Sequence, residues 1–165
     1  MSPHDYSIAL RIRHPNIDPA DVTRQLGIVP QHAWRKGEPR EVEADEVGSA
    51  VHRETYWVGL VPQGPQPPAV LGSDLGPPAS LSIEVLRLRA TQRPVLGLYV
   101  TLLKMRRAPG FWREFTEQGG TVECLLQVHN TERFQLDLSQ PVLLALAELK
   151  IPLSIGVDAG LRAAA

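Results

Sequence analysis

Residues 6–27 read YSIALRIRHPNIDPADVTRQLG, and the class of fold is decided there. Tyr6, Ile8, Leu10 and Ile12 alternate with Ser7, Ala9, Arg11 and Arg13, which is the two-residue period of a strand with one buried face. His14 and Pro15 end that pattern. Asp18 is placed to cap a helix, Pro19 suits the first helical position, and Asp21 adds negative charge to the first turn. Val22 and Leu26 fall four apart on one helical face, and Gly27 stands where a left-handed C-cap residue is favoured.

Working outward, residues 26–39 read LGIVPQHAWRKGEP and depart furthest from ordinary core and turn composition. No period is sustained from Ile28 to Ala50. The basic residues Arg35, Lys36 and Arg40 give way to the acidic Glu41, Glu43, Asp45 and Glu46, so a long loop is expected over 28–50. Loops beyond about 12 to 15 residues are uncommon in compact domains unless they are functional or mobile. Residues 53–61 then alternate as a strand, Thr55, Trp57, Gly59 and Val61 against Glu54, Tyr56, Val58 and Leu60. Apolar groups on both sides predict a central strand or one covered on both faces.

Residues 62–79 are rich in Pro and Gly and read as a connecting loop. Residues 80–89 fit a strand through Leu81, Ile83 and Val85 and a helix through Leu81, Val85 and Leu88, with strand preferred. Residues 94–107 suit a helix with Pro94 at its start, although Gly97, Tyr99, Val100 and Thr101 favour strand. Pro109-Gly110 breaks it, and 111–118 form a second short helix that stops at Gly119-Gly120. Residues 121–128 make a strand with Val122, Cys124, Leu126 and Val128 together. A polar turn at 129–132 leads to Phe134, Leu136 and Leu138 as its hairpin partner. Ser139 caps a helix to about Leu149, Ile151, Leu153, Ile155 and Val157 point inward from a last strand, and 161–165 are a frayed tail. This order predicts one α+β domain over 1–165. The expected form is a two-layer sandwich with a mostly antiparallel sheet, helices on one face and ferredoxin-like elements, the second half forming a split βαβ unit.

At 165 residues the chain can bury roughly 70% of its unfolded surface in one core. Seventeen basic against eighteen acidic side chains leave a formal charge of -1, which argues against a dedicated nucleic-acid or anionic-membrane binder. Cys124 is the lone cysteine, so there is neither an intrachain disulfide nor a multi-cysteine metal site, and a reducing, cytoplasmic setting is expected. The first residues lack the basic and apolar regions of an export signal, and no apolar run approaches the roughly 20 residues that span a bilayer.

The letters Asp18-Pro19, Val22-Thr23, Leu26-Gly27-Ile28, Pro30, Lys36-Gly37-Glu38 and Trp57, in this order, resemble the bacterial domain-of-unknown-function family 4279. Glu38 stands where that pattern usually has Asp. The resemblance implies a bacterial, cytoplasmic α+β domain without an established activity, and it supplies no catalytic residue. It also implies that 26–39 is a defined structural feature.

Several residues carry candidate chemistry. Trp34, Arg35 and Lys36 would make a platform in which a ring and two cations hold an anionic or planar group. The alternative is an indole over the hydrophobic edge with solvated cations, or cations clamped to Glu41–Glu46. His32 and His52 flank carboxylates, but their spacing matches no compact metal motif, and no metal or cofactor is expected. His4, His14 and His129 lie at strand ends or turns, where solvation accounts for them. Cys124, among Val122, Leu126 and Val128, reads as an inert core thiol. Trp57 reads as core, Trp112 as helix packing or an exposed partner contact. Arg106, Arg107 and Arg113 form a second small basic cluster. Nucleophile elbow, Walker loop, dinucleotide fingerprint and zincin motif are all missing.

The expectation is therefore a non-enzymatic binding or interaction module, of the immunity or regulatory kind, with no catalytic residue assigned. Its candidate ligand-binding residues are His32, Trp34, Arg35, Lys36, Arg40 and His52, and its partner is a protein or a small anionic ligand. Unpaired strand edges would allow a homodimer. The competing expectation is a small-molecule or phosphate-handling enzyme beside the same segment, with Arg35 and Lys36 holding an anion and His32 or His52 transferring protons.

Overall fold

The computed structural model describes residues 6–39, 51–63, 93–129 and 136–157. In chain order these form β1 (Tyr6–His14), α1 (Pro19–Leu26), β2 (His32–Trp34), β3 (Thr55–Leu60), α2 (Arg93–Arg107), α3 (Pro109–Glu117), β4 (Thr121–Val128), α4 (Gln140–Glu148) and β5 (Leu153–Val157). The strands make one sheet in the order β2-β3-β1-β4-β5. Every neighbouring pair is antiparallel except β4 and β5, which run parallel. The fold is thus α+β with a mixed, mostly antiparallel sheet.

One sheet face carries the core. Tyr6, Ile8, Leu10 and Ile12 of β1 are all buried, and the register sets Ile12 beside Trp57 and Val122, Leu10 beside Gly59 and Cys124, and Ile8 beside Leu126. Helices complete the layer with Val22 and Leu26 from α1, Leu98, Leu102 and Met105 from α2, Trp112 and Phe115 from α3, and Val142, Ala145 and Leu146 from α4. Burying each large aliphatic side chain stabilises by roughly 1.5–3 kcal/mol. Trp112 therefore belongs to the packing, edge-on to Phe111 and Phe115.

α1 has both of its expected ends. The Asp18 carboxylate accepts from the Ala20 N–H at 2.9 Å, and Gly27 closes the helix at φ 65°. α2 shows packing overriding local preference. Val95, Leu98, Leu102 and Met105 fall at three- and four-residue spacings and are buried together, and this stripe outweighs the strand tendency of Tyr99 and Val100. The one buried hydroxyl on that face, Thr101, donates to the Gly97 carbonyl at 2.9 Å.

Four expectations are corrected. β4 has β1 on one edge and β5 on the other, so no edge is left for a hairpin partner, and Leu136 and Leu138 lie outside any strand, half-buried against the core. The parallel crossover β4-α4-β5 joins adjacent strands, so the second half is not a split unit. Instead β1 and β2, both antiparallel to β3, run parallel to each other with β3 between them. On β5 the inward set ends early: Ile151 is buried, but Ile155 and Val157 are 60% and 58% exposed, because among the described residues this edge strand packs mainly on β4. Lastly, 28–50 is not loop throughout, since β2 lies inside it. The expected strand at 80–89, Phe134, the tail at 161–165, Arg40 and the acidic residues 41–46 fall outside the described residues, as does nearly all of the expected 62–79 loop.

Candidate functional site

On the second face of the sheet, side chains meet one another without helical cover among the described residues. β2 pairs with β3 so that Trp34 lies beside Tyr56 and His32 beside Val58. β3 pairs with β1 so that Tyr56 lies beside Arg13 and Val58 beside Arg11, and Arg11 in turn lies beside Glu123 of β4. All of these alternate with core residues and so point away from the core.

At the β2 end three rings stack. The Trp34 indole lies 4.3 Å from Tyr56 at an interplanar angle of 14° and 4.4 Å from His52 at 20°, so both of its faces are covered. Such ring pairs are worth about 0.5–1.5 kcal/mol beyond their buried area. The backbone holds His52 in place. Its N–H donates to the Glu38 carbonyl at 3.0 Å and its carbonyl accepts from the Gly37 N–H at 2.8 Å, and Pro39 bridges to Val51. Residues 32–39 thus run back antiparallel to 51–58 as an arm of the sheet.

The Lys36-Gly37-Glu38 letters make the bend in this arm. Gly37 sits at φ 87°, a left-handed conformation that costs glycine little. The Glu38 N–H donates to the Arg35 carbonyl at 3.1 Å, and the Glu38 carboxylate accepts from the Arg35 N–H at 2.9 Å. The Lys36 N–H reaches the Thr55 hydroxyl at 3.2 Å, and that hydroxyl donates to the Ile17 carbonyl at 2.9 Å.

Charges on the same face are largely matched. The Arg11 guanidinium donates to the Glu123 carboxylate, with Nε at 2.9 Å. The Ser154 hydroxyl donates to the other Glu123 oxygen at 2.5 Å. These bonds, Ser154 first and Arg11 second, hold the Glu123 carboxyl below the usual carboxylate range, and Glu123 raises Arg11 in return. Two runs of contacts therefore lie on this face, Ser154–Glu123–Arg11 over β5, β4 and β1 and Tyr56–Trp34–His52 at the β2–β3 arm. Arg13 approaches Glu54 at 3.9 Å with both side chains half exposed, an ion pair of small energetic weight. A pocket of about 400 Å³ opens at the His52 end, lined by Trp34, Val51, His52, Arg53 and Glu54.

Among the residues singled out from sequence, the fold brings Trp34 and His52 into direct contact. His32 is exposed one position further along β2, beside Val58. Arg35 turns away from the rings to pair with Asp18 at the start of α1. Lys36 is exposed and has no ion pair among the described residues, and Arg40 lies outside them. Tyr56, Arg53, Glu54 and Arg11 join the site without having been singled out. Tyr56 carried the one available signal, an aromatic on the side of β3 opposite Trp57, but the register that joins it to Trp34 depends on residues more than twenty positions apart.

The other reactive side chains have structural settings. Cys124 is buried and its thiol is pushed up to about 12 by burial first and by Glu123 second, which makes it a poor nucleophile. No group of three His, Cys, Asp or Glu side chains that could hold a metal is present among the described residues. No helix among them is long and apolar enough to cross a membrane. Arg106 pairs with Glu148 at 3.0 Å, which occupies part of the second basic cluster.

His14 is not solvated, contrary to the expectation for a strand end. It is 3% exposed, its ring packs 4.9 Å from Phe115, and its Nδ1 accepts from the Asn16 N–H at 3.0 Å. β1 extends one residue further than its alternation suggested, which draws His14 under α3. Burial favours the neutral ring and lowers the folded pKa below 6.5. The unfolded chain then takes up a proton that the folded chain refuses, so stability is full above about pH 6.5 and falls as pH drops through and below it. Urea unfolding at about pH 7.5 and about pH 5.5 checks this against the ordinary histidine range: the wild type should lose stability on acidification, and His14→Phe should lose distinctly less. Equal slopes would remove His14 as the cause.

The family letters noted in the sequence are nearly all structural. Asp18 caps α1, Val22, Leu26 and Ile28 enter the core, and Gly27 ends the helix. Thr23 accepts the indole N–H of the buried Trp57 at 3.0 Å, and Lys36-Gly37-Glu38 bends the arm that carries the ring stack. No curated protein and no solved structure matches the chain. Residues 4–66, which take in β1, α1 and the β2–β3 arm, match the family described as Domain of unknown function (DUF4279).

Proposed function

We propose that the protein is a non-enzymatic binding module whose working surface is the sheet face opposite the core, at the β2–β3 arm. The observation that carries this reading is the stack of His52, Trp34 and Tyr56 beside a pocket, held on a hydrogen-bonded arm away from the core. Rings that the core does not need, pre-positioned by backbone, offer contact area without a further ordering cost on binding. The chemistry around them favours holding over turnover. Glu123 is engaged by both Ser154 and Arg11, Cys124 is buried, and one face of His52 is occupied by Trp34.

A thermal-shift screen of anions, nucleotides, amino acids and short peptides tests the surface. A ligand at 100 times its Kd adds about 2.7 kcal/mol of stability. The expected result is a hit whose shift is lost in Trp34→Ala and retained in Arg113→Ala, which alters only a distant exposed ion pair. A hit that Trp34→Ala leaves intact would put the site elsewhere. Chemical conversion of a bound compound would replace the module by the phosphate-handling or small-molecule enzyme.

A further inference from the structure

The composition of the pocket beside the ring stack selects its occupant. A volume of about 400 Å³ lies within the small-molecule range of roughly 300–1,000 Å³ and is too small for a helix or a folded partner. Two of its walls are rings, His52 and Trp34, and Val51 adds an aliphatic side. Among the described residues the stack ends at His52, since Trp34 is covered on both faces.

The two remaining walls are charged, but they are not equivalent. Glu54 already has Arg13 at 3.9 Å, whereas Arg53 has no ion-pair partner among the described residues. Arg11 is held by Glu123, and Arg13 lies 3.9 Å from Glu54. A nucleic-acid backbone needs a track of free cations, and among the described residues the pocket is lined by one arginine, Arg53. One guanidinium matches one carboxylate, because its planar fork meets the two carboxylate oxygens with two parallel hydrogen bonds.

We propose that this pocket holds a small planar ring bearing one carboxylate, the ring lying on His52 and against the edge of Trp34 and the carboxylate paired with Arg53. The proposal rests on the working surface described under the proposed function and names its ligand class.

The test is a titration followed by two-dimensional ¹⁵N–¹H NMR with three probes: benzoate, which has ring and charge; benzamide, which has the ring alone; and cyclohexanecarboxylate, which has the charge alone. Three tryptophans give three indole N–H signals, and two serve as internal controls because Trp57 and Trp112 are buried. Benzoate should move the Trp34 signal saturably and leave the other two in place. Benzamide and cyclohexanecarboxylate should each bind about tenfold more weakly, and Arg53→Gln should bring benzoate down by a similar factor, which corresponds to roughly 1.4 kcal/mol. Arg53 is exposed, so this variant leaves the core untouched. Equal binding of all three probes, unaffected by Arg53→Gln, would overturn the carboxylate class and keep the surface. No response of Trp34 to benzoate, alongside a Trp34-dependent hit of another class in the thermal screen, would also overturn the ligand class alone. Silence of Trp34 in both experiments would overturn the surface as well.

Discussion

Replacing Trp57 by alanine is expected to remove about 3–5 kcal/mol of folding stability, the range for deleting a large buried aromatic. Trp57 is 0% exposed and lies in the sheet beside Ile12 and Ala33. Its indole N–H reaches Thr23 Oγ1 on α1 at 3.0 Å, and that hydroxyl donates onward to the Pro19 carbonyl at 3.1 Å. One side chain thus ties helix to sheet by packing and by a satisfied polar contact. Trp57→Phe keeps most of the packing and loses the hydrogen bond, so its cost should be smaller, about 1–2 kcal/mol. Because small domains have only about 5–15 kcal/mol in total, the alanine variant should be close to unfolding. Urea denaturation monitored by far-UV circular dichroism measures both, and a loss below about 1 kcal/mol for the alanine variant would contradict this account of the α1–sheet contact.

Gly59→Ala should cost about 1–3 kcal/mol through overpacking. A Cβ at Gly59 would lie 2.7 Å from Cη2 of Trp57 and 2.9 Å from Cγ2 of Ile28, closer than real contacts allow. Neither neighbour is the loose end of a long side chain. Gly59 does not have a left-handed backbone, so the cost is one of space and not of conformation. The clash with Trp57 involves the six-membered part of the indole, which Phe lacks at that position. In the Trp57→Phe background the Gly59→Ala cost should therefore fall, and a double-mutant cycle should show coupling beyond the roughly 0.5 kcal/mol expected of independent sites. Simple additivity would assign the tightness to Ile28 instead.

Trp57 and Gly59 also mark what could be read from the chain. Their alternation with Tyr56 and Val58 gave β3 its faces, and the same two-residue period gave β1 and β4, because a strand's sidedness is written in adjacent residues. α1 was equally clear, since capping by Asp18 and termination by Gly27 act within one turn of the helix. The site was visible only in part. Trp34 and His52 stood out by type, but their contact required Gly37, Glu38 and His52 to exchange backbone hydrogen bonds, and these carry no side-chain signature. β2, at three residues, is too short to show a period at all. Arg35 stood out by charge, and the fold pairs it with Asp18 at the start of α1.

Sequence by itself determined the α+β class, the sidedness of β1, β3 and β4, and both ends of α1. Each of these follows from residue choice within a few positions. The tertiary structure alone decided that β5 takes the free edge of β4, that His14 is buried beneath Phe115, and that Ile155 and Val157 stay exposed. It alone brought together Ser154, Glu123 and Arg11, and Tyr56, Trp34 and His52. Strand order and register are chosen by the whole core at once, when every apolar face must be covered from a limited set of helices, and that balance has no local trace in the chain.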